Sequence, residues 1–242
     1  SAAERGHEVV LYEKSSRLGG QALLSDGMWF KKEMKAYHEW LERQVRRNGN
    51  IFIVTNTEAT PELVSEIDPD ATVVAVGAKQ IVPPIPGVEK AVMAFDVFGN
   101  EDRIGKKVVI IGGGDIGCEL SIHLSERGHD CTVVELTHFQ AGNAELCIRM
   151  SILQFMEKEH VTTLLDTRAT EITDSGVHIE NGEGKSFLPA DTVIIATGTT
   201  PLIEERDSFK NVSFDVINIG DCKKASNMQH AIETGFDAGL IL

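Results

Sequence analysis

Short, nearly continuous apolar runs alternate along this chain with longer amphipathic stretches. Val9-Val10-Leu11-Tyr12, Val73-Val74-Ala75-Val76, Val108-Val109-Ile110-Ile111, Val193-Ile194-Ile195-Ala196 and Val216-Ile217-Asn218-Ile219 are the runs, each followed within two residues by a glycine or a carboxylate. Such runs suit strands covered on both faces, as in a parallel sheet; a one-sided sheet would alternate apolar with polar. Helical spacing appears from Gly117 to about Arg127, from Met28 to Gly49 and from Met228 to Leu242. In the second of these, Trp40, Leu41 and Val45 fall on one side and Lys31, Lys32, Arg43, Arg46 and Arg47 on others, the pattern of a surface helix. Strand and helix in alternation predict a doubly wound α/β fold. Val82-Pro83-Pro84-Ile85-Pro86-Gly87 can continue neither helix nor central strand and reads as a linker.

The pattern occurs twice. Glu4-Arg5-Gly6-His7-Glu8-Val9-Val10-Leu11-Tyr12-Glu13 matches Glu126-Arg127-Gly128-His129-Asp130-Cys131-Thr132-Val133-Val134-Glu135 at an offset of 122 residues. Asp70 to Gly77 parallels Asp191 to Gly198 at an offset of 121. Each first element reads as helix end, glycine stop, short strand and terminal carboxylate. A duplication fixes architecture ahead of any local propensity, so two similar units are expected.

Composition narrows the partners. Lys and Arg number 23 against 37 Asp and Glu, a net charge of -14, the wrong sign for neutralising nucleic-acid phosphates or lying on anionic lipid. Neither a nucleic acid nor a membrane is an expected partner; the cytoplasm is the expected location, and a homo-oligomer stays open. Cys118, Cys131, Cys147 and Cys222 show no C-x-x-C pair and no zinc-ligand spacing, and are read as small buried hydrophobes. The histidines show no ligand spacing either, so neither a metal site nor a catalytic side-chain cluster is expected.

Gly112-x-Gly114-x-x-Gly117 follows a strand, opens a helix, and is followed by Glu135 at the next strand end. In that context the spacing is a dinucleotide fingerprint. Gly112 permits the tight turn, Gly114 lets the backbone approach a pyrophosphate, and Gly117 lets helix and strand pack closely, while free helix N–H groups face the anion. Glu135 can accept from both hydroxyls of an adenosine ribose and repels a 2′-phosphate. Leu136, Thr137 and His138 bring no Arg or Lys, so NADH is expected over NADPH. Subtracting 122 places the first unit's own glycines upstream of Ser1, so the chain is expected to be a fragment whose first unit lacks its opening strand and turn. Glu13 is then the counterpart of Glu135. Val216 to Asp221 is a further strand ending in Gly220-Asp221, whose carboxylate either caps the following helix or holds the ribityl hydroxyls of a flavin.

Gly19-Gly20-Gln21 after Glu13, Gly112-Gly113-Gly114-Asp115-Ile116-Gly117-Cys118-Glu119, Ala196-Thr197-Gly198 and Ile219-Gly220-Asp221 resemble the paired FAD- and NAD(P)-binding domains of two-dinucleotide-binding flavoproteins. Leu18-Gly19-Gly20-Gln21 with Lys31-Lys32-Glu33, and Gly220-Asp221-Cys222, are similar to the C-terminal half of the old yellow enzyme-like NADH:flavin oxidoreductases, which include 2-enoate reductase, 2,4-dienoyl-CoA reductase and trimethylamine dehydrogenase. The resemblance implies paired Rossmann-like domains: an FAD domain from 1–97 and 201–242, and an NAD domain at 98–200. It implies that Glu13, Gly19, Gly20, Gln21, Gly77, Gly220 and Asp221 serve FAD, and that Gly112, Gly114, Ile116, Gly117, Glu135 and Gly198 serve the nicotinamide dinucleotide. Glu119 would approach the nicotinamide, with a helix-surface role as the alternative. It also implies a barrel with FMN and a [4Fe–4S] cluster in a preceding part.

Two departures qualify the resemblance. Val76-Gly77 stands where the family has Thr-Gly, and the redox cysteine pair of disulfide reductases has no counterpart here. The implied activity is hydride transfer from NADH to FAD for reduction of an activated alkene, with the isolated fragment inactive. A stand-alone NADH:acceptor reductase and a non-catalytic nucleotide-binding module are the alternatives.

Overall fold

A computed structural model describes all residues from Ser1 to Leu242, in two compact units: 1–79 with 200–242, and 80–199. The first unit opens with a 3-10 turn, Ala2–Arg5, stopped by Gly6 in the left-handed region (φ 101°). Strand β1 (Val9–Tyr12) follows, then a 3-10 segment, Gly20–Gly27, helix α1 (Lys32–Arg47) and strand β2 (Ile51–Val54). Thr60 and Pro61 start helix α2 (Pro61–Ile67), the threonine hydroxyl accepting from Leu63 N–H, and strand β3 (Ala71–Val74) succeeds it. Strand β4 (Ala78–Gln80) leads out.

The second unit contains β5 (Val92–Met93), α3 (Ala94–Val97), β6 (Lys107–Ile111), α4 (Asp115–Glu126), β7 (Asp130–Val134), α5 (Leu146–Lys158) and β8 (Thr162–Leu164). An antiparallel meander of β9 (Arg168–Thr173), β10 (Gly176–Asn181) and β11 (Gly184–Pro189) precedes β12 (Thr192–Ile195). The chain returns through β13 (Thr199–Pro201) to α6 (Ile203–Ser208), β14 (Asp215–Asn218) and α7 (Met228–Ile241).

The second unit's sheet is five strands in the order β5-β12-β6-β7-β8, all parallel. Both faces of its central strands are buried, which is why they read as continuous apolar runs rather than alternating ones. Val109, Ile111, Val193 and Ile195 pack with Ala169, Ile172, Val177 and Ile179 of the meander. Ile110 and Ile194 are fully buried, as are Leu120, Ile122 and Leu124 of α4.

In the first unit β1 pairs with β2 and β3 with β14, both in parallel, and no ladder joins the two pairs. The repeat explains the division. β1 and β3 correspond to β7 and β12, and in the second unit the strand between those two is β6, which has no counterpart in the first. The core of this half gathers around β3 and β14: Val64, Val74, Phe209, Val212 and Cys222.

Three expectations need correction. The boundary expected at 97/98 falls at 79/80, because Val92–Met93 is a strand of the second unit's sheet, pairing with Ile194 and Ile195. The proline-rich segment is part of that unit and not a linker: Ile85 packs on its core, Pro86 O accepts from Ile172 N–H (2.8 Å), and a Cβ on Gly87 would lie 1.9 Å from Ile172 O. α1 is the expected surface helix, with His38 its one buried residue and Trp40 48% exposed. His38 Nε2 lies 2.5 Å from Asp26 Oδ1, and Arg17 donates to the other oxygen (3.3 Å). Burial raises the Asp26 pKa, but the hydrogen bond from His38 and the Arg17 charge outweigh it and leave it lowered. Cys147 is exposed, unlike the other three cysteines. No helix is long and apolar enough to cross a membrane.

Helix α4 also carries a buried polar cluster. His123 is fully buried; its Nδ1 lies 3.0 Å from an Arg127 guanidinium nitrogen and its Nε2 3.0 Å from Glu101 Oε1. A guanidinium only donates, so Nδ1 accepts and Nε2–H donates to Glu101, which fixes the neutral tautomer. Burial pushes the His123 pKa down from 6.5, against the opposing pull of Glu101. The unfolded chain therefore binds a proton that the folded chain refuses, and stability falls as pH drops from about 6.5 toward the depressed value. The wild type should therefore lose stability through this group as pH falls below about 6.5, and His123→Gln should show the shallower slope of melting temperature against pH. Equal slopes for the two proteins would refute the assignment.

Candidate dinucleotide-binding sites

β6 delivers the chain to Gly112 at φ 110°, where a Cβ would lie 2.4 Å from Ala196 O. A Cβ on Gly117 would lie 1.9 Å from Gly112 O, so α4 rests directly on the turn. Both glycines are required by packing within the chain. Gly114 is different. Its backbone is extended (φ -69°), a conformation open to any residue, and a Cβ there would meet nothing within 4 Å. The protein's own packing does not demand that glycine, while it stands as the residue before α4, where first-turn N–H groups have no partner inside the helix. That space beside a helix N-terminus fits the pyrophosphate of a dinucleotide.

The intervening Gly113 peptide is held from both sides. Its N–H donates to Glu135 Oε2 (2.6 Å), and its carbonyl accepts from Ala141 N–H (2.8 Å) and Cys118 Sγ (3.2 Å). Glu135 Oε1 accepts from Thr137 N–H (2.8 Å). The carboxylate is thereby fixed against the glycine turn, with the oxygens in place to take further O–H donors. His138 beside it is paired with Asp166 (2.5 Å). The sequence reading missed two contributors: Ala141, held at φ 46° to reach Gly113, and Arg149, whose Nε donates to Gln140 O (2.8 Å) and whose guanidinium lies 5.3 Å from the Phe139 ring. Ile116 is half-buried in the first turn of α4. Glu119 is 9% exposed, so the helix-surface role is excluded and its carboxylate lies inside the unit.

The first unit repeats the carboxylate loop bond for bond. Glu13 Oε1 accepts from Ser15 N–H (2.7 Å) as Glu135 does from Thr137. Ser15 Oγ exchanges bonds with Arg17 N–H and O, and Thr137 Oγ1 with Phe139 N–H and O. Asn56 N–H meets Ser15 O and Thr57 N–H meets Glu13 O; Asp166 and Thr167 do the same toward Thr137 and Glu135. Asn56 and Asp166 both sit at positive φ, 54° and 49°. A signal for this was present in sequence: Ser15 and Thr137 are hydroxyl residues at the same offset of 122 as the two glutamates.

The remaining residues expected to serve FAD lie elsewhere in that unit. Gly77, at φ 82° past β3, accepts from Leu202 N–H (3.2 Å), as Gly198 (φ 98°) accepts from Ile81 N–H (2.9 Å). Thr197 Oγ1 donates to Ile81 O, whereas Val76 at the equivalent position packs on the apolar core. Gly19 and Gly20 both have positive φ, and Gln21 Nε2 donates to Ala78 O (3.3 Å), which ties this turn to the stretch after Gly77. Gly220 (φ 57°) follows β14, next to β3. Asp221 Oδ1 accepts from Ser226 N–H (3.1 Å), and Asn227, not Asp221, caps α7 through His230 N–H (2.9 Å). The capping role considered for Asp221 is therefore excluded. Glu13 directly follows β1, whereas Gly77 follows β3 and Gly220 and Asp221 follow β14, beyond the ends of the β1–β2 and β3–β14 ladders.

All four cysteines are free. Burial pushes the Cys118 thiol up to about 12 and Cys131 up to about 11, so both stay protonated at neutral pH and neither is a redox nucleophile.

The turn geometry separates two glycine substitutions. Gly114→Ala should leave unfolding stability within about 0.5 kcal/mol while weakening NADH binding at least about tenfold. Gly117→Ala should cost about 3 kcal/mol of stability, since backbone would have to move. Isothermal titration and urea unfolding of both variants check this, and a Gly114→Ala protein with unchanged NADH affinity would overturn the reading of the cradle.

Residues 1–234 match the family model described as pyridine nucleotide-disulphide oxidoreductase. The chain is 33% identical to the bilirubin reductase of Mediterraneibacter gnavus over 100% of its own length and 38% of that protein's. It is 32% identical to the NADH oxidase of Thermoanaerobacter brockii, over 98% of its length and 37% of that protein's. Cinnamate reductase of Clostridium sporogenes is 30% identical, with 98% and 36% covered. Among solved structures, 2-naphthoyl-CoA reductase in complex with 2-naphthoyl-CoA superposes with a TM-score of 0.94 at 27% identity, over 100% of this chain and 37% of that one. The chain thus spans less than two fifths of the length of these relatives. Duplicated carboxylate loops, a glycine turn at a helix N-terminus and this match along nearly the whole sequence agree: the chain belongs to the pyridine nucleotide-disulphide oxidoreductase family, with its FAD/NAD(P)-binding α/β fold.

Proposed function

We propose that this chain is the C-terminal, dinucleotide-binding part of a longer NADH-dependent flavoprotein that reduces an activated alkene. The second unit takes NADH and the first takes FAD. The observation that carries the reading is Gly114, open toward a helix N-terminus and backed by a carboxylate fixed to the same turn, with the carboxylate loop repeated at Glu13. Two separate ladders in the first unit, where the second has five joined strands, support a further strand between β1 and β3. The names of the relatives support the substrate class: cinnamate reductase and 2-naphthoyl-CoA reductase act on conjugated carbon frameworks by name. FMN and a [4Fe–4S] cluster would belong to the part outside this chain.

FAD, when bound, supplies a two-electron acceptor for the hydride of NADH. The residues here bind and orient. Gly112 and Gly117 set the turn, Gly114 admits the pyrophosphate to the α4 N–H groups, and Glu135 accepts from the adenosine ribose hydroxyls. Glu13, with one carboxylate oxygen fixed by Ser15 N–H, does the same for FAD, and Gly220 and Asp221 hold its ribityl phosphate side. Such a reaction depends on stacking and positioning rather than on acid–base groups.

Because Glu135 would face a 2′-phosphate with a like charge, NADH should be preferred over NADPH by about 1–3 kcal/mol, a factor of about 5 to 150 in kcat/KM. Glu135→Ala should narrow that ratio; equal use of both cofactors by the wild type would sink the assignment. The chain alone should be colourless and inactive toward enoates, whereas an N-terminally extended protein that joins β1 to β3 should take up FAD and turn over. Stoichiometric FAD on the 242 residues alone would show that no further strand is needed.

A further inference from the structure

Two polar side-chain atoms near Gly220-Asp221 are sealed from solvent and meet no hydrogen-bond partner: Asn218 Oδ1 at the end of β14 and His230 Nε2 in the first turn of α7. A buried polar atom left unpaired costs roughly 1–3 kcal/mol, so native proteins hold few of them without a purpose. The backbone brings the two residues to one seam. Gly220 N–H donates to Thr234 Oγ1 (2.9 Å), and that hydroxyl donates to His230 O (2.9 Å). A Cβ on Gly220 would lie 3.6 Å from Ala231 Cβ, and one on Gly235 would lie 3.5 Å from Ile219 Cδ1, so the strand end and the first turns of α7 are in direct contact.

The bonds already made at this seam define what a ligand must offer. Asp221 commits one carboxylate oxygen to Ser226 N–H, and the other can only accept. Asn218 Oδ1 also only accepts, while His230 Nε2 accepts or donates according to tautomer. Helix N–H groups of the first turn favour an anion beside them. Two acceptors call for hydroxyl donors and the helix end calls for a phosphate. A phosphorylated polyol carries both.

We infer that Asn218 and His230 are further ligands of FAD, binding its ribityl phosphate portion beside Asp221; this rests on the assignment of FAD to the first unit. The two residues are then unpaired without the cofactor and satisfied with it, which separates binding from folding. Removing their polar atoms should leave the apo protein as stable or more stable and should weaken the cofactor.

The test uses the N-terminally extended protein. FAD affinity is read by quenching of flavin fluorescence, apo stability by urea unfolding, and NADH affinity serves as control. Asn218→Leu and His230→Leu should each weaken FAD about tenfold at an unchanged or higher apo midpoint and unchanged NADH affinity, while His230→Gln, which keeps a nitrogen and an oxygen within reach, should recover most of the loss. Unchanged FAD affinity in both leucine variants overturns the inference. So does a fall in apo stability large enough to account for the loss, since that marks a packing role. A wild type that binds NADH but no FAD overturns the assignment of the first unit, and the inference with it, and is told apart because the failure appears before any substitution.

Discussion

The contact on which the second unit depends is the approach of α4 to the turn after β6, so close that the Gly117 Cα takes the place where any side chain would strike Gly112 O. At 1.9 Å from that oxygen a Cβ cannot be accommodated by a rotamer change, because the obstacle is backbone. The approach aims the first turn of α4 at the open space around Gly114. It also sets the Gly113 peptide where Glu135 and Ala141 can hold it. One backbone contact therefore places the helix end, the carboxylate and the loop after it.

Duplication shows which of these parts are separable. The carboxylate loop survives intact in the first unit, with the same bonds from Ser15, Asn56 and Thr57, because every partner it needs lies on β1, β2 and the residues that follow them. The glycine turn does not recur, since its anchor is a strand between the counterparts of β7 and β12. Local hydrogen bonding thus keeps its form with its own neighbours alone, whereas a central strand supports two ladders at once, and without one the first unit's sheet stands as two pairs.

Two polar groups inside the second unit are each fixed by partners whose chemistry leaves no choice. Arg127 can only donate, so His123 is neutral and its other nitrogen donates to Glu101. Gly113 offers one N–H and one carbonyl, and both are used. In the first unit, near α7, Asn218 Oδ1 and His230 Nε2 have no such partner, close to Gly220 and Asp221.

The sequence by itself determined the strands, the repeat, the cradle glycines and both glutamates, because each depends on neighbours a few residues away or on a pattern copied at constant offset. Apolar runs fixed the parallel sheet, and Gly112, Gly114 and Gly117 fixed the turn. Three matters were decided only by the tertiary structure. Val82 to Gly87 reads as a linker from composition, yet Ile85 is core and Pro86 bonds Ile172, a residue whose distance along the chain hides the contact. Asp221 was a candidate cap of α7 until Asn227 proved to hold the N–H of His230. Glu119 stood between surface and interior until packing buried it. In each case the deciding partner lay outside the local pattern, and a side chain's surroundings are set by whatever the fold brings to it from elsewhere.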